Sequence, residues 1–268
     1  MSKASKRYHN RVAKQYDAIY DDAYWRFHDA VTWELVKPHL PGDANARCFD
    51  VGCGTGKWGL KLMKSGYAVT FADHAPAMVG EVRGKLDELG AKATGCEAVE
   101  ADIVQMEMLD SEQFALTLAM GDPLSICSDP QRAANELFRL SAPGGIVVAT
   151  ADNRLAGFDA LLGRGDLEGV QQLAKTGRTR WVTGDAAEQF ELHTFLPGEL
   201  RRLFERSGFE VLGVVGKTVL PIREHRELLA DRDAYRRLLK LELDLCRDSL
   251  HAARAGHLQI TARRPDHS

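Results

Sequence analysis

The sequence predicts an α/β protein built on a doubly wound, mostly parallel sheet. Three observations carry this. From residue 47 onward, short apolar runs alternate with segments of helical length and amphipathic spacing. The first run leads into a glycine cluster, Phe49 to Gly59, reading FDVGCGTGKWG. The second and third runs each close on an acid, Asp73 and Asp102. Alternation of this kind argues for parallel strands covered on both faces by crossover helices, and right-handed crossovers make the fold doubly wound.

The elements follow in order. Residues 5–39 carry Tyr8, Val12, Tyr16, Ile19 and Tyr20 on roughly one helical face, and a second helix spans Trp25 to Val36 before Pro38 and Pro41 break it. RCFDV is a buried strand feeding the glycine loop. GKWGLKLMKSG is a helix stopped by Gly66. YAVTFAD is a second strand, and PAMVGEVRGKLDELG a helix with Pro76 at its start and Gly90 at its end. CEAVEAD and FALTLAM are the third and fourth strands, PQRAANELFRL a helix, and IVVAT the fifth strand.

Residues 152–190 interrupt the rhythm. They are polar and glycine-rich with one good helical patch, and read as an insertion over the C-terminal edge of the sheet. PGELRRLFERSG then gives a helix, FEVLGVVGKTV a strand, and REHRELLADRDAYRRLLKLELDLCRDSLHAAR one long amphipathic helix. HLQITARR closes the chain as a strand. The long helix mixes charges of both signs, which reads as a solvated face rather than an RNA-binding stripe. Its leucines are set to pack on the domain or on a second subunit, which leaves a homodimer open.

Composition narrows the class. The 268 residues suit one large domain or one domain with an insertion. A net charge of -3 gives no bulk attraction to nucleic acid or an anionic membrane. No apolar run approaches the roughly 18 residues of a membrane span. The basic start lacks the apolar core of a secretory signal. Five scattered cysteines with no C-x-x-C pattern point to reduced thiols, not to a disulfide frame or a metal site. The expectation is a cytoplasmic enzyme with no metal, no membrane and no nucleic-acid partner.

The glycine loop decides the ligand class only in company. Glycines let backbone approach a ligand, and the following helix offers free N–H groups. An acid at the end of the second strand takes ribose hydroxyls. Asp73 stands 17 residues past Gly56, close to the spacing of a dinucleotide site, so an NAD(P)-dependent oxidoreductase is an alternative on this count. Against it stand Asp50, an acid just ahead of the glycines, and Asp102, a second acid suited to an adenine amino group. The continuation also lacks a second mononucleotide half.

With these residues on the page, the chain resembles the class I S-adenosylmethionine-dependent methyltransferases of small-molecule type. The resemblance rests on DVGCGTG, FADHAPAM, EADI, LSAPGGIVV and SGFEVLGV, in that order, together with RVAKQYDAIYD near the start. It implies a Rossmann-like seven-stranded sheet with the last strand antiparallel and a helical N-terminal lid. It divides the chain into a lid (1–42), a cofactor half (43–151), an acceptor-side cap (152–192) and the rest of the core (193–268). A protein of the same fold that binds the nucleoside without turnover is a further alternative.

The resemblance also implies roles. Gly52, Cys53 and Gly54 approach the methionine part of the cofactor, with Asp50 behind them. Asp73 holds the ribose, with His74 beside it. Met78 packs on the adenine, and Asp102 and the backbone at Ile103 read its edge. Met120 and Gly121 lie under the methionine moiety, while Tyr16 and Tyr20 close the site, unless they are only helix-packing aromatics. Asp122 departs from the neutral group many relatives have, and contacts either the cofactor ammonium or the substrate. On the acceptor side, Glu191 and His193 are candidate bases and Trp181 a pocket wall; His193 is equally read as a strand residue bonded to backbone. The product is S-adenosylhomocysteine.

Overall fold

A computed structural model describes residues 1–266. The chain opens with α1 (Lys3–Val12), α2 (Tyr16–Ile19) and α3 (Ala23–Val36). Then come β1 (Arg47–Val51), α4 (Lys57–Lys64), β2 (Ala68–Asp73), α5 (Pro76–Leu89), β3 (Glu97–Glu100) and β4 (Phe114–Ala119). The next elements are α6 (Pro123–Ile126), α7 (Pro130–Leu140), β5 (Ser141–Asp152), α8 (Arg154–Gly163) and α9 (Leu167–Thr176). The chain closes through β6 (Arg178–Trp181), β7 (Phe190–His193), α10 (Pro197–Arg206), β8 (Glu210–Lys217), α11 (Arg232–Leu245), α12 (Ser249–Ala252) and β9 (His257–Arg263).

Seven strands form one sheet in the order β3-β2-β1-β4-β5-β9-β8. β9 runs antiparallel to both of its neighbours, β5 and β8. The expected fold is therefore the one observed. The core lies on both faces of the sheet. On one, the fully buried rings of Phe49 and Phe114 stack at 4.7 Å. On the other, Leu62, Phe71 and Val82 join α4 and α5 to β2. Burying each of these side chains contributes on the order of 1.5–3 kcal/mol. Gly59 belongs to this packing: a Cβ there would meet the Phe71 ring at 2.1 Å, so α4 lies on β2 only because the position is glycine.

Two regions differ from the sequence-based expectation. The 152–190 stretch holds two helices, not one, followed by the β6–β7 hairpin. Their caps explain why glycine-rich text still folds: Asn153 accepts from the Leu155 N–H, Asp166 from the Gly169 N–H, and Gly177 ends α9 at φ 68. The long C-terminal helix is broken. Asp231 accepts from the Ala234 N–H at 2.7 Å and starts α11, and Asp248 caps α12. Buried Glu242 on α11 accepts from the Val219 and Leu220 N–H groups, fixing the chain as it leaves β8. Among the described residues no helix is long and apolar enough to cross a membrane.

Candidate functional site

A cavity of about 1310 Å³ opens at the C-terminal ends of β1, β2, β4 and β5. That is where open α/β sheets bind ligands. It exceeds the roughly 300–1,000 Å³ of a pocket for one drug-sized molecule, so two ligands fit side by side. The N-terminal helices and the β5–β7 insertion roof it, and the two are joined: Arg11 on α1 donates to both carboxylate oxygens of buried Glu188 at 2.6–2.9 Å. A second tie crosses the glycine loop. Lys85 pairs with Asp17 at 2.7 Å and donates to the Thr55 carbonyl, and the Thr55 hydroxyl bonds Asp17.

The first half of the cavity is built by one strand–loop–helix–strand unit. Gly52, Gly54 and Gly56 all have positive φ, which glycine adopts without strain, and the first two line the space with bare backbone. Asp73, at the end of β2, accepts from the Gly54 N–H at 2.9 Å through one oxygen and from the Ala75 N–H at 2.9 Å through the other. Burial raises its pKa, but His74, the Ala75 N–H and His9 outweigh that and hold it below the usual carboxylate range. Oδ2 keeps a further lone pair for a ligand hydroxyl, while Oδ1 also has His74 Nδ1 at 3.2 Å. His74 contacts Ser5 at 3.3 Å, and Ser5 contacts His9, which seats α1 on this end of the cavity. A Cβ at Gly121 would meet nothing within 4 Å. Bare glycine backbone, an ionised carboxylate and an aromatic roof from Tyr16 and Tyr20 fit an adenosyl sulfonium.

The second half is a row of titratable side chains across four strands. His257 begins β9 and faces Asp152 of β5 on one side and Lys217 of β8 on the other as direct cross-strand partners. Asp122 follows β4 in a left-handed conformation, φ 62, and its Oδ2 lies 2.9 Å from His257 Nδ1. Its N–H donates to Thr150 at 3.0 Å, while its buried Oδ1 has no protein partner. Burial pulls the His257 pKa down, but the charge and hydrogen bond of Asp122 more than reverse it. Burial pushes Asp152 up to about 7, with the Asp122 charge adding to it. Lys217 is 2% exposed and drops to about 8 by burial, partly opposed by Asp122 and Asp29. Its ammonium donates to Thr32 at 3.0 Å, and among the described residues no carboxylate lies within ion-pair distance. His28, in edge contact with His257 at 5.3 Å, is held neutral by burial, at about 3, and neither ring nitrogen has a hydrogen-bond partner. One donor atom each from Asp122, Asp152 and His257 falls within 4.8 Å, a spacing a cation tolerates, but the buried Lys217 ammonium already supplies positive charge beside them.

Of the residues predicted from sequence, Tyr16, Tyr20, Gly52, Cys53, Gly54, Asp73, His74, Met120, Gly121, Asp122 and Trp181 line the cavity. The others do not line it. Asp50 is 1% exposed and its Oδ2 accepts from the Gly59 N–H at 2.7 Å, so it braces α4 from behind the loop and puts no charge in the cavity wall. The weight placed on Asp50 against a pyrophosphate therefore falls. The Met78 side chain is buried against Val12 and Ala13, the Ile103 side chain is buried in the sheet core, and Asp102 pairs with the Met1 amino group. Glu191 and His193 lie on the wrong face of β7: the pleat turns Phe190, Leu192 and Thr194 into the cavity and these two away from it. Glu191 is paired with Arg178 at 2.7 Å. Sequence reading missed His28, Asp152, Lys217 and His257. The signal for His257 was available, since an antiparallel last strand must begin at the cavity edge.

Residues 49–145 match the family model described as a methyltransferase domain. Over 255 residues, 92% of each chain, the protein is 22% identical to tRNA 5-carboxymethoxyuridine methyltransferase of Escherichia coli. Over 149 residues it is 36% identical to demethylmenaquinone methyltransferase of Thermus thermophilus, covering 52% of this chain and 61% of the relative. A solved S-adenosylmethionine-dependent methyltransferase from Methanosarcina mazei superposes with a TM-score of 0.61 at 18% identity, over 87% of this chain and 98% of the other.

Proposed function

Because the chain belongs to the class I S-adenosylmethionine-dependent methyltransferases, we propose that it methylates a small-molecule acceptor held beside the cofactor in this one cavity. The observation that carries the proposal is continuity: the same space runs from the glycine loop and Asp73 to Asp122, His257 and Lys217. S-adenosylmethionine supplies an electrophilic methyl group on a sulfonium that leaves as a neutral thioether.

The chain's own residues have a positioning task, which is worth several kcal/mol when reacting atoms are held in line. Asp73 binds the ribose hydroxyls. The glycine loop and Gly121 bring backbone against the amino-acid end. Tyr16 and Tyr20, in contact at 4.9 Å, cover the cofactor side and exclude water. Trp181, with Phe190 stacked at 6.3 Å and Tyr8 edge-on at 5.8 Å, walls the acceptor side. Asp122 orients His257 rather than touching the cofactor ammonium. The division into lid, cofactor half and cap is part of the same proposal.

A second reading takes RNA as acceptor. It is favoured by the full-length likeness to a relative whose name specifies tRNA. Against it stand the net charge of -3 and the roofed cavity. Incubation with radiolabelled S-adenosylmethionine, a cell-extract metabolite fraction and total RNA separates the two. Label in the metabolite fraction is expected. Label in RNA alone would overturn the small-molecule acceptor and leave the methyltransferase.

A further inference from the structure

Lys217 presents an unusual combination. It is a buried ammonium with one hydrogen bond to protein, and it lines a cavity. Lysine is almost never fully buried unless paired. With one proton given to Thr32, two N–H groups remain for a ligand. Its cross-strand partner His257 gives one nitrogen to Asp122. Donation of Nδ1–H to that carboxylate fixes the tautomer and leaves a lone pair on Nε2 of a residue that lines the cavity. A cation able to hold an oxyanion thus stands next to a base able to create it.

We propose that the acceptor is an acidic hydroxyl on an unsaturated carbon, a phenol or enol, that His257 removes its proton, and that Lys217 holds the resulting oxyanion. The inference rests on the methyltransferase reading above and narrows its substrate class to O-methylation. An amine acceptor arrives as a cation and is repelled by Lys217. A thiol needs little help from a base. A carboxylic acid is already ionised and gives His257 nothing to do. The cavity lining is also aromatic: Trp25 packs edge-on against Tyr20 and Tyr24 at 5.0 Å, and Arg223 lies over Tyr24 at 4.6 Å. In the reaction the hydroxyl proton passes to Nε2 of His257. The oxygen's electron pair forms the new O–C bond as the C–S bond of the bound sulfonium breaks, its pair remaining on sulfur. The imidazolium then returns its proton to water. The groups facing this pair are His28, Asp29 and Thr32 from α3, Asp122 beyond β4, and Asp152 from β5.

The test uses 4-nitrophenol, whose absorbance distinguishes phenol from phenolate, on protein saturated with S-adenosylhomocysteine. About one pH unit below the dye's own pKa, wild type is expected to bind it as the yellow phenolate. Lys217→Met, near in volume and apolar, is expected to bind it about tenfold or more weakly, with nucleoside affinity kept as the check on folding. Dye bound as neutral phenol, no dye binding to the nucleoside complex, or equal affinity in the variant would overturn the inference. Turnover confined to amines, thiols or carboxylic acids would also overturn it. Failure of S-adenosylhomocysteine itself to bind would instead sink the methyltransferase reading.

Discussion

The two halves of the cavity are built by opposite routes. On the cofactor side, Gly52, Gly54 and Asp73 come from one β–α–β unit, and hydrogen bonds such as Gly54 N–H to Asp73 span 19 positions. On the acceptor side, the Asp122–His257 contact spans 135 positions and Lys217–Thr32 spans 185. The first half is a local device in which the loop, its glycines and its acid are fixed together. The second half exists only once β9 has inserted between β5 and β8. A cofactor shared by many enzymes is met by the local device, and the acceptor by the assembled one.

If the halves are separable, variants on each side fail differently. The largest effect is expected at His257→Gln. Loss of a positioned base lowers kcat by about 100-fold or more, measured by methyl transfer under saturating cofactor, with nucleoside affinity unchanged. Asp73→Ala comes next. Removing a charged acceptor costs about 2 kcal/mol, roughly 30-fold in S-adenosylhomocysteine affinity by calorimetry, and near-normal affinity would remove Asp73 from the site.

The pH profile of kcat/KM sharpens the contrast. His257 titrates above its ordinary 6.5 because Asp122 outweighs burial, so activity rises as pH passes that raised value and the imidazole becomes neutral. Lys217 loses its charge near pH 8, so activity falls again beyond it. A bell with its alkaline limb near 8 is expected. Lys217→Met should lose that limb. Cofactor binding should not follow the bell. The smallest effect is expected at His193→Ala and Glu191→Gln, which lie on the far face of β7 and should leave turnover unchanged. A tenfold loss in either would return the acceptor site to that face.

Legibility in the sequence follows the same division. The sheet, its order of elements and the glycine loop were readable because period, turn residues and caps are local. Even there, Asp50 lies behind the glycines as expected but carries no weight against a pyrophosphate, since sequence does not show that its carboxylate turns back to the Gly59 N–H. The acceptor side was largely opaque. The choice of Glu191 and His193 ran against the alternation of FELH, in which Phe190 and Leu192 take the buried face and Glu191 and His193 the other. Lys217 and His257 sit at the ends of β8 and β9, and only the register of those strands makes them neighbours. Asp122 was found because it follows a strand end, a local fact. Its partner was not.

The most direct test is a calorimetric titration of S-adenosylhomocysteine into wild type, Asp73→Ala and His257→Gln under one set of conditions. Separable halves predict tight binding to wild type, binding to His257→Gln within about twofold of it, as independent sites do, and a large loss in Asp73→Ala. Equal weakening in both variants, or binding that survives in Asp73→Ala and is lost in His257→Gln, would contradict the account.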